Sequence, residues 1–345
     1  MNITHIFPGA VWGGAEQYVL DLGRALSACG HNVTYLCRDA AAVTSRLHGE
    51  IPYTLLSSAS LRRAVAQSDV VHIHDARFLA PVMRAKKKTG SAAKVVLTRH
   101  IARPSRTWPL RRRHYRALHC MIFVSQLAHS LWSGANEWMP AHLLRVVHNS
   151  IADHPEGAAA AVDLRDEAGI PADVPLIMFT GRIRKSKGVT VLIEALAQLR
   201  NLPWHLVLVG TCKPLKYRQE IMRLAAHHGI EERITFTGFT ADVYPLIAQC
   251  DVGVAPSIVR EACPLSPMEF MKMGKMVITT DNGAQPEYVK GLMVPPTDEQ
   301  PLADALYRAI TDAPLRERLG CEAREYFDRQ MSYATFVDKI LACYV

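Results

Sequence analysis

Leu176-Ile177-Met178-Phe179-Thr180-Gly181-Arg182-Ile183-Arg184-Lys185-Ser186-Lys187-Gly188 is an apolar run that stops at Thr-Gly and passes into a cationic loop. The next stretch, residues 189–199, repeats apolar residues at helical spacing. Together they read as strand, loop and helix. The unit recurs in both directions: apolar runs at 206–209, 234–236, 252–254 and 277–278 follow it, with helical stretches such as 217–228 between. Before it lie runs at 3–7, 33–36, 70–73, 95–97 and 121–124. This alternation predicts parallel sheets with helices on both faces, an α/β chain.

A chain of 345 residues with 49% hydrophobic content exceeds one ordinary domain of roughly 150 residues. Residues 148–162, with Pro155, Gly157 and the alanine run 158–161, read as a linker. The expected division is an N-terminal domain over 1–150, a C-terminal domain over 163–330, and a final helix over 331–345 packing back toward the first domain. Ligands of open α/β sheets bind beyond the carboxyl ends of the strands, so the site is expected in a cleft between two facing doubly wound domains. The eight cysteines show neither C-x-x-C nor zinc-like spacing and read as reduced thiols. The first residues carry no basic region, and no later run approaches about 18 apolar residues, which predicts a cytoplasmic protein, at most peripheral on a membrane.

Three stretches carry candidate chemistry. In Pro8-Gly9-Ala10-Val11-Trp12-Gly13-Gly14-Ala15-Glu16, Gly13 and Gly14 precede a helix whose free N–H groups suit an anion, although a plain strand-to-helix turn explains them equally. Arg182 and Lys187 lie where cations could stabilise a departing diphosphate without a metal; no Walker loop fits there, and a solvated charge cluster is the competing reading. Glu261-Ala262-Cys263-Pro264-Leu265-Ser266-Pro267-Met268-Glu269 brackets a helix start with two carboxylates. Here Ser266 is expected as N-cap, Pro267 at the first helical position, Glu269 as the other half of a capping box, and Gly274 as the stop. Such a box explains Glu269 structurally but leaves Glu261 unexplained.

In order and spacing, Gly13-Gly14-Ala15-Glu16, Gly181-Arg182-x4-Lys187-Gly188 and Glu261-x7-Glu269 followed by Gly274-Lys275 resemble the retaining family-4 glycosyltransferases of the GT-B fold, of the polysaccharide or lipopolysaccharide-core type. Val71-His72-x-His74-Asp75, Val124-Ser125, Asn149 and Gly283-x3-Glu287 extend the similarity over nearly the whole chain. The resemblance implies two Rossmann-like domains and transfer of a hexose or N-acetylhexosamine from a nucleotide-diphosphate sugar, a UDP-sugar by expectation, to a lipid-linked or cell-surface saccharide. It implies no metal and no other cofactor, the nucleotide sugar being a substrate. By the same resemblance Arg182, Lys187, Gly13, Gly14 and the amides of Leu265 and Ser266 would bind the diphosphate. Glu261 would hold the transferred sugar, Glu269 the ribose, and His100 would lie near the sugar. Asn149-Ser150-Ile151-Ala152, Val209-Gly210-Thr211-Cys212 and Cys263-Pro264 depart from the family's usual residues, the latter two beside the donor pocket.

Charge is divided unevenly: residues 1–160 hold 19 Lys and Arg against 9 Asp and Glu, whereas 161–345 hold 21 against 23. Seven arginines and no acid lie between Arg99 and Arg116. Arg103, Arg106, Arg111, Arg112 and Arg113 with Trp108 are therefore read as contacts to an anionic membrane or a phosphorylated acceptor. No nucleic-acid motif accompanies the charge, so no nucleic-acid partner is expected. Competing classes are a nucleotide-sugar epimerase, which would turn over donor without acceptor, and a non-catalytic glycosyltransferase-like subunit, which would lack the cations or the paired glutamates. Length disfavours a pyridoxal-dependent phosphorylase.

Overall fold

The computed structural model describes residues 1–9, 13–38, 51–153 and 163–345. They form two units, Met1–Ala152 with Ser332–Val345, and Asp153–Met331. Of the linker stretch, residues 148–153 have no regular structure, and 154–162 lie outside the described residues, as do 10–12 of the glycine loop.

In the first unit the strands β1 (Asn2–Phe7), β2 (Asn32–Cys37), β3 (Tyr53–Leu55), β4 (Val70–Ile73), β5 (Lys94–Arg99), β6 (Cys120–Phe123) and β7 (Leu144–Val146) pair in the order β3-β2-β1-β4-β5-β6-β7. Every pairing is parallel. Period-two alternation sends Ile6 to one face, with Leu61, Val65 and Val82, and Ile3, His5 and Phe7 to the other. That second face is covered by the helix Gly14–Ala28, through Tyr18 and Leu22, and by the helix Tyr333–Ala342, through Phe336 and Ile340. The chain end is tied down as well: Tyr344 is buried, and its hydroxyl lies 2.7 Å from His72 Nδ1.

In the second unit β8 (Leu176–Thr180), β9 (His205–Val209), β10 (Ile234–Gly238), β11 (Val252–Ala255), β12 (Met276–Thr280) and β13 (Leu292–Val294) pair in the order β10-β9-β8-β11-β12-β13, again all parallel. The inner strands β8, β9, β11 and β12 are buried throughout because helices cover both faces, so they read as largely hydrophobic runs. The opening stretch thus supplies the central β8 and the helix Val189–Ala197, whose Leu192, Ile193 and Leu196 are buried. The helix Ala313–Gln330 belongs to this unit and the helix Tyr333–Ala342 to the first.

The strand order reverses between β1 and β4 in one sheet and between β8 and β11 in the other. Each reversal is a switch point, where flanking loops diverge and leave a crevice at the strands' carboxyl ends. Among the described residues no helix is long and apolar enough to cross a membrane.

Candidate active site

The loops leaving β8 and β11 carry Arg182, Lys187 and Glu261 of the second unit. After Thr180 and Gly181, Ile183 is buried and donates its N–H to Thr211 O at 2.9 Å, as a parallel bridge partner of Cys212, and Arg182 just before it is exposed. A short turn, Lys185–Lys187, ends at Gly188 with φ 71°. A Cβ on Gly188 would fall 1.9 Å from Pro256 O, so only glycine lets the β8 loop approach the β11 loop this closely. Ile258 N–H donates to Ser186 O at 3.0 Å across the same junction.

That approach brings Lys187 Nζ to 2.7 Å from Glu261 Oε1 in a mostly shielded ion pair. Ser257 Oγ donates to the same oxygen at 3.1 Å. The Glu261 backbone is clamped from β12: Ala284 N–H donates to Glu261 O at 3.0 Å, and a Cβ on Gly283 would lie 2.7 Å from that oxygen. Thr280 Oγ1 donates to Ser257 O at 2.7 Å. Glu261 is therefore fixed at both ends, by its side chain to the β8 loop and by its main chain to the β12 loop. Beside it Gln285 is fully buried, with neither amide atom in a hydrogen bond.

The helix after this loop corrects the expected cap. It runs Ser266–Lys272 with Leu265 in the cap position, already near-helical at φ −80°, ψ −33°, and no side chain caps it. Ser266 is therefore the first helical residue and Pro267 the second. With its hydroxyl inside the first turn, Ser266 cannot serve as the acceptor of a capping box. The Glu269 carboxylate is engaged elsewhere, accepting from Thr180 Oγ1 at 3.2 Å. Although Glu269 keeps some exposed surface, desolvation pushes its carboxyl up to about 7, against the lowering effect of Thr180. Gly274, at φ 65°, follows the helix end as expected.

In the first unit Gly13 is extended at φ −169° and precedes the helix Gly14–Ala28 with no side-chain cap, leaving first-turn N–H groups without one. His100, directly after β5, lies 3.3 Å through Nε2 from His74 Nδ1, and His74 Nε2 lies 2.9 Å from His5 Nδ1. His72 is held between Thr98 Oγ1 and Tyr344 Oη, each at 2.7 Å. Burial pushes His5 down to about 3 and His100 to about 4, and together with mutual repulsion holds His72 and His74 well below the usual imidazole range. All four are neutral rings near pH 7.

The arginine-rich stretch is ordered from beneath. Arg99 donates to Arg103 O and Ser105 Oγ, and Asn136 accepts from Thr107 N–H at 2.9 Å and donates to Ser105 O at 2.8 Å. The helix Pro109–Arg116 has no buried residue, and Trp108 and Leu110 before and within it are 75% and 82% exposed. Arg103, Arg106, Arg111 and Arg113 are exposed, whereas Arg112 is half-buried with its guanidinium 5.1 Å from the Trp138 ring centre. Arg116 also lies over Trp138, at 5.5 Å, so these two arginines are stacked while Arg103, Arg106, Arg111 and Arg113 face solvent. A cavity of about 730 Å³ is lined by Arg106, Trp108, Arg112 and Trp138 among others.

Two parallel doubly wound sheets are the architecture of the GT-B fold. A profile described as "Glycosyltransferase Family 4" matches residues 12–154, and one described as "Glycosyl transferases group 1" matches 174–312. The chain belongs to the family-4 glycosyltransferases. It is 26% identical to the lipopolysaccharide core biosynthesis glycosyltransferase LpsE of Rhizobium meliloti, over 99% of this chain and 98% of that one. It is 25% identical to N-acetyl-alpha-D-glucosaminyl L-malate synthase of Bacillus anthracis, over 91% and 88%. Its fold is shared with a glycosyltransferase from Rickettsia africae (TM-score 0.86, 20% identity, 99% of this chain and 97% of that one). Anabaena Alr3699/HepE, crystallised with UDP and glucose, has TM-score 0.83, 21% identity and 99% and 98% coverage.

The sequence assigned no role to Thr180, Ser257, Gly283, His5 or His74, although Gly283 and His74 stand in stretches that carry the family resemblance. Thr180 and Ser257 each sit at or just beyond the carboxyl end of a switch-point strand, which is the signal that could have found them.

Proposed function

We propose that this glycosyltransferase moves a hexose or N-acetylhexosamine, with retention, from a UDP-sugar to a lipid-linked or cell-surface saccharide. The observation that carries the proposal is the Lys187–Glu261 pair, 2.7 Å apart at the β8–β11 switch point, with Glu269 close behind on Thr180. Arg182 and Lys187 bind the diphosphate and stabilise the charge that develops as it leaves, joined by the amides of Leu265 and Ser266. Lys187 exchanges part of its contact with Glu261 for the phosphate, which frees Glu261 to accept hydrogen bonds from the sugar's hydroxyls. Glu269 accepts from the ribose, and His100 contacts the transferred sugar. Cations supply what a metal supplies in other transferases, so no metal or other cofactor is required.

The relative named for lipopolysaccharide core biosynthesis and the fold neighbour crystallised with UDP and glucose support this donor and acceptor class. The exposed Trp108, Leu110 and arginines suit a peripheral position on an anionic cytoplasmic membrane surface, where such acceptors reside. The test is transfer from UDP-sugars to an acceptor saccharide. Activity should persist in EDTA, and Arg182→Ala and Lys187→Ala should each lose roughly 10²-fold in kcat. Loss of activity on chelation, restored by Mn²⁺, or near-normal kcat in both variants would overturn it. Donor turnover without acceptor would indicate an epimerase instead.

A further inference from the structure

We infer that His5 and His74 form a directed hydrogen-bond relay that holds His100 as the tautomer carrying its proton on Nδ1, which makes His74 a positioning residue for His100. The role of His100 toward a sugar rests on the proposed transfer; the relay itself does not.

The three rings are linked by two contacts, His5 Nδ1 to His74 Nε2 at 2.9 Å and His74 Nδ1 to His100 Nε2 at 3.3 Å. A neutral imidazole has one N–H and one lone pair, so each contact needs one of each and the chain has two states. In the first, His5 Nδ1–H donates to His74, His74 Nδ1–H donates to His100, and His100 is left with Nδ1–H. In the second, all donors reverse, and His5 is left with Nε2–H.

His5 Nε2 decides between them, because it is buried and has no hydrogen-bond partner. The first state leaves a bare lone pair there. The second leaves an N–H without an acceptor, the rarer orphan in folded proteins. The first state is therefore the lower in free energy, and His100 presents a donor at its one nitrogen outside the relay. The downshifted titration of all four histidines keeps the rings neutral near pH 7. Tyr18 packs edge-on against both His74 and His100, with centroids 5.7 and 4.8 Å away, and restrains the two planes.

His5, His72 and His74 each have a ring nitrogen within 4.8 Å of the others, a spacing compatible with a cation. Yet both nitrogens of His72 and both of His74 already lie in hydrogen bonds within the protein, which favours the relay. A fixed Nδ1–H donor can bind a hydroxyl oxygen of the transferred sugar but cannot accept a proton there. His100 is thereby committed to orienting the sugar.

The test uses the full chain with ¹⁵N-labelled histidine at pH 7, with the His100 signals assigned by their loss in His100→Ala. Long-range ¹H–¹⁵N spectra should show Nδ1 protonated and Nε2 bare; the reverse pattern would overturn the relay's direction. His74→Asn, whose amide can reach the Nδ1 position, should stay within about threefold of the original kcat, while His74→Leu should lose about tenfold with little change in donor KM. Equal losses in both variants would overturn the positioning role. The spectrum needs no substrate. If no UDP-sugar is turned over, the proposed transfer fails while the tautomer is still read.

Discussion

Glu269 combines a carboxylate with surroundings that resist its charge, and the consequence is a proton held into the neutral range. Unfolded, such a group titrates near 4.5; folded, it titrates at about 7 because burial desolvates the anion. Between these values the folded chain keeps a proton that the unfolded chain has lost. The ionised side chain therefore destabilises the fold progressively as pH rises through that window, with no penalty below it and the full penalty above. Replacing Glu269 by Gln, which Thr180 can still donate to, should raise stability at pH 8 by on the order of 2 kcal/mol and leave it unchanged at pH 4. Denaturation curves at the two pH values check this, and an equal effect at both would mean that Glu269 is well solvated. The sequence marked Glu269 but suggested a capping box for it. Helical spacing relates residues three apart; the partner actually used, Thr180, is 89 positions away and comes within reach only through the β8–β11 pairing.

At the level of elements, the central strands were legible because burial on both faces makes them largely apolar runs, as at β8, β9 and β11. The edges were not. Tyr53–Leu55, Leu144–Val146 and Leu292–Val294 are three residues each, and none is buried throughout, so no pattern marks them. The junction between the β8 and β11 loops was half legible: the glycine at 188 is visible in the sequence, its reason is not. With φ at 71° and Pro256 O where a Cβ would go, Gly188→Ala must displace backbone, and a cost above about 2 kcal/mol is expected. The Lys187–Glu261 pair should loosen with it. Urea denaturation and transfer assays measure both, and an unperturbed midpoint would contradict the close approach described for this loop.

On the scale of the molecule, the uneven charge pointed to an anionic partner for the N-terminal half, and the exposed helix Pro109–Arg116 gives that charge a surface. Exposed basic residues near an anionic bilayer contribute about 1 kcal/mol each and are screened beyond roughly 8 Å at physiological ionic strength. The protein should therefore sediment with anionic liposomes, detach in high salt, and lose binding in an Arg103, Arg106, Arg111, Arg113→Ser variant that leaves the stacked Arg112 intact. Equal sedimentation with neutral liposomes would assign the attraction to Trp108 and Leu110 instead.

The proposed transfer requires the β8–β11 switch point to bind the diphosphate of a uridine nucleotide through Arg182 and Lys187. The most direct measurement is the unfolding free energy of the original chain and of Arg182→Ala and Lys187→Ala with UDP, GDP and ADP. UDP at 100 times its Kd should stabilise the original chain by about 2.7 kcal/mol, GDP and ADP at the same concentration much less, and both variants should lose most of the UDP effect. Undiminished stabilisation of the variants by UDP, or a response of the original chain to GDP or ADP but not UDP, would contradict it.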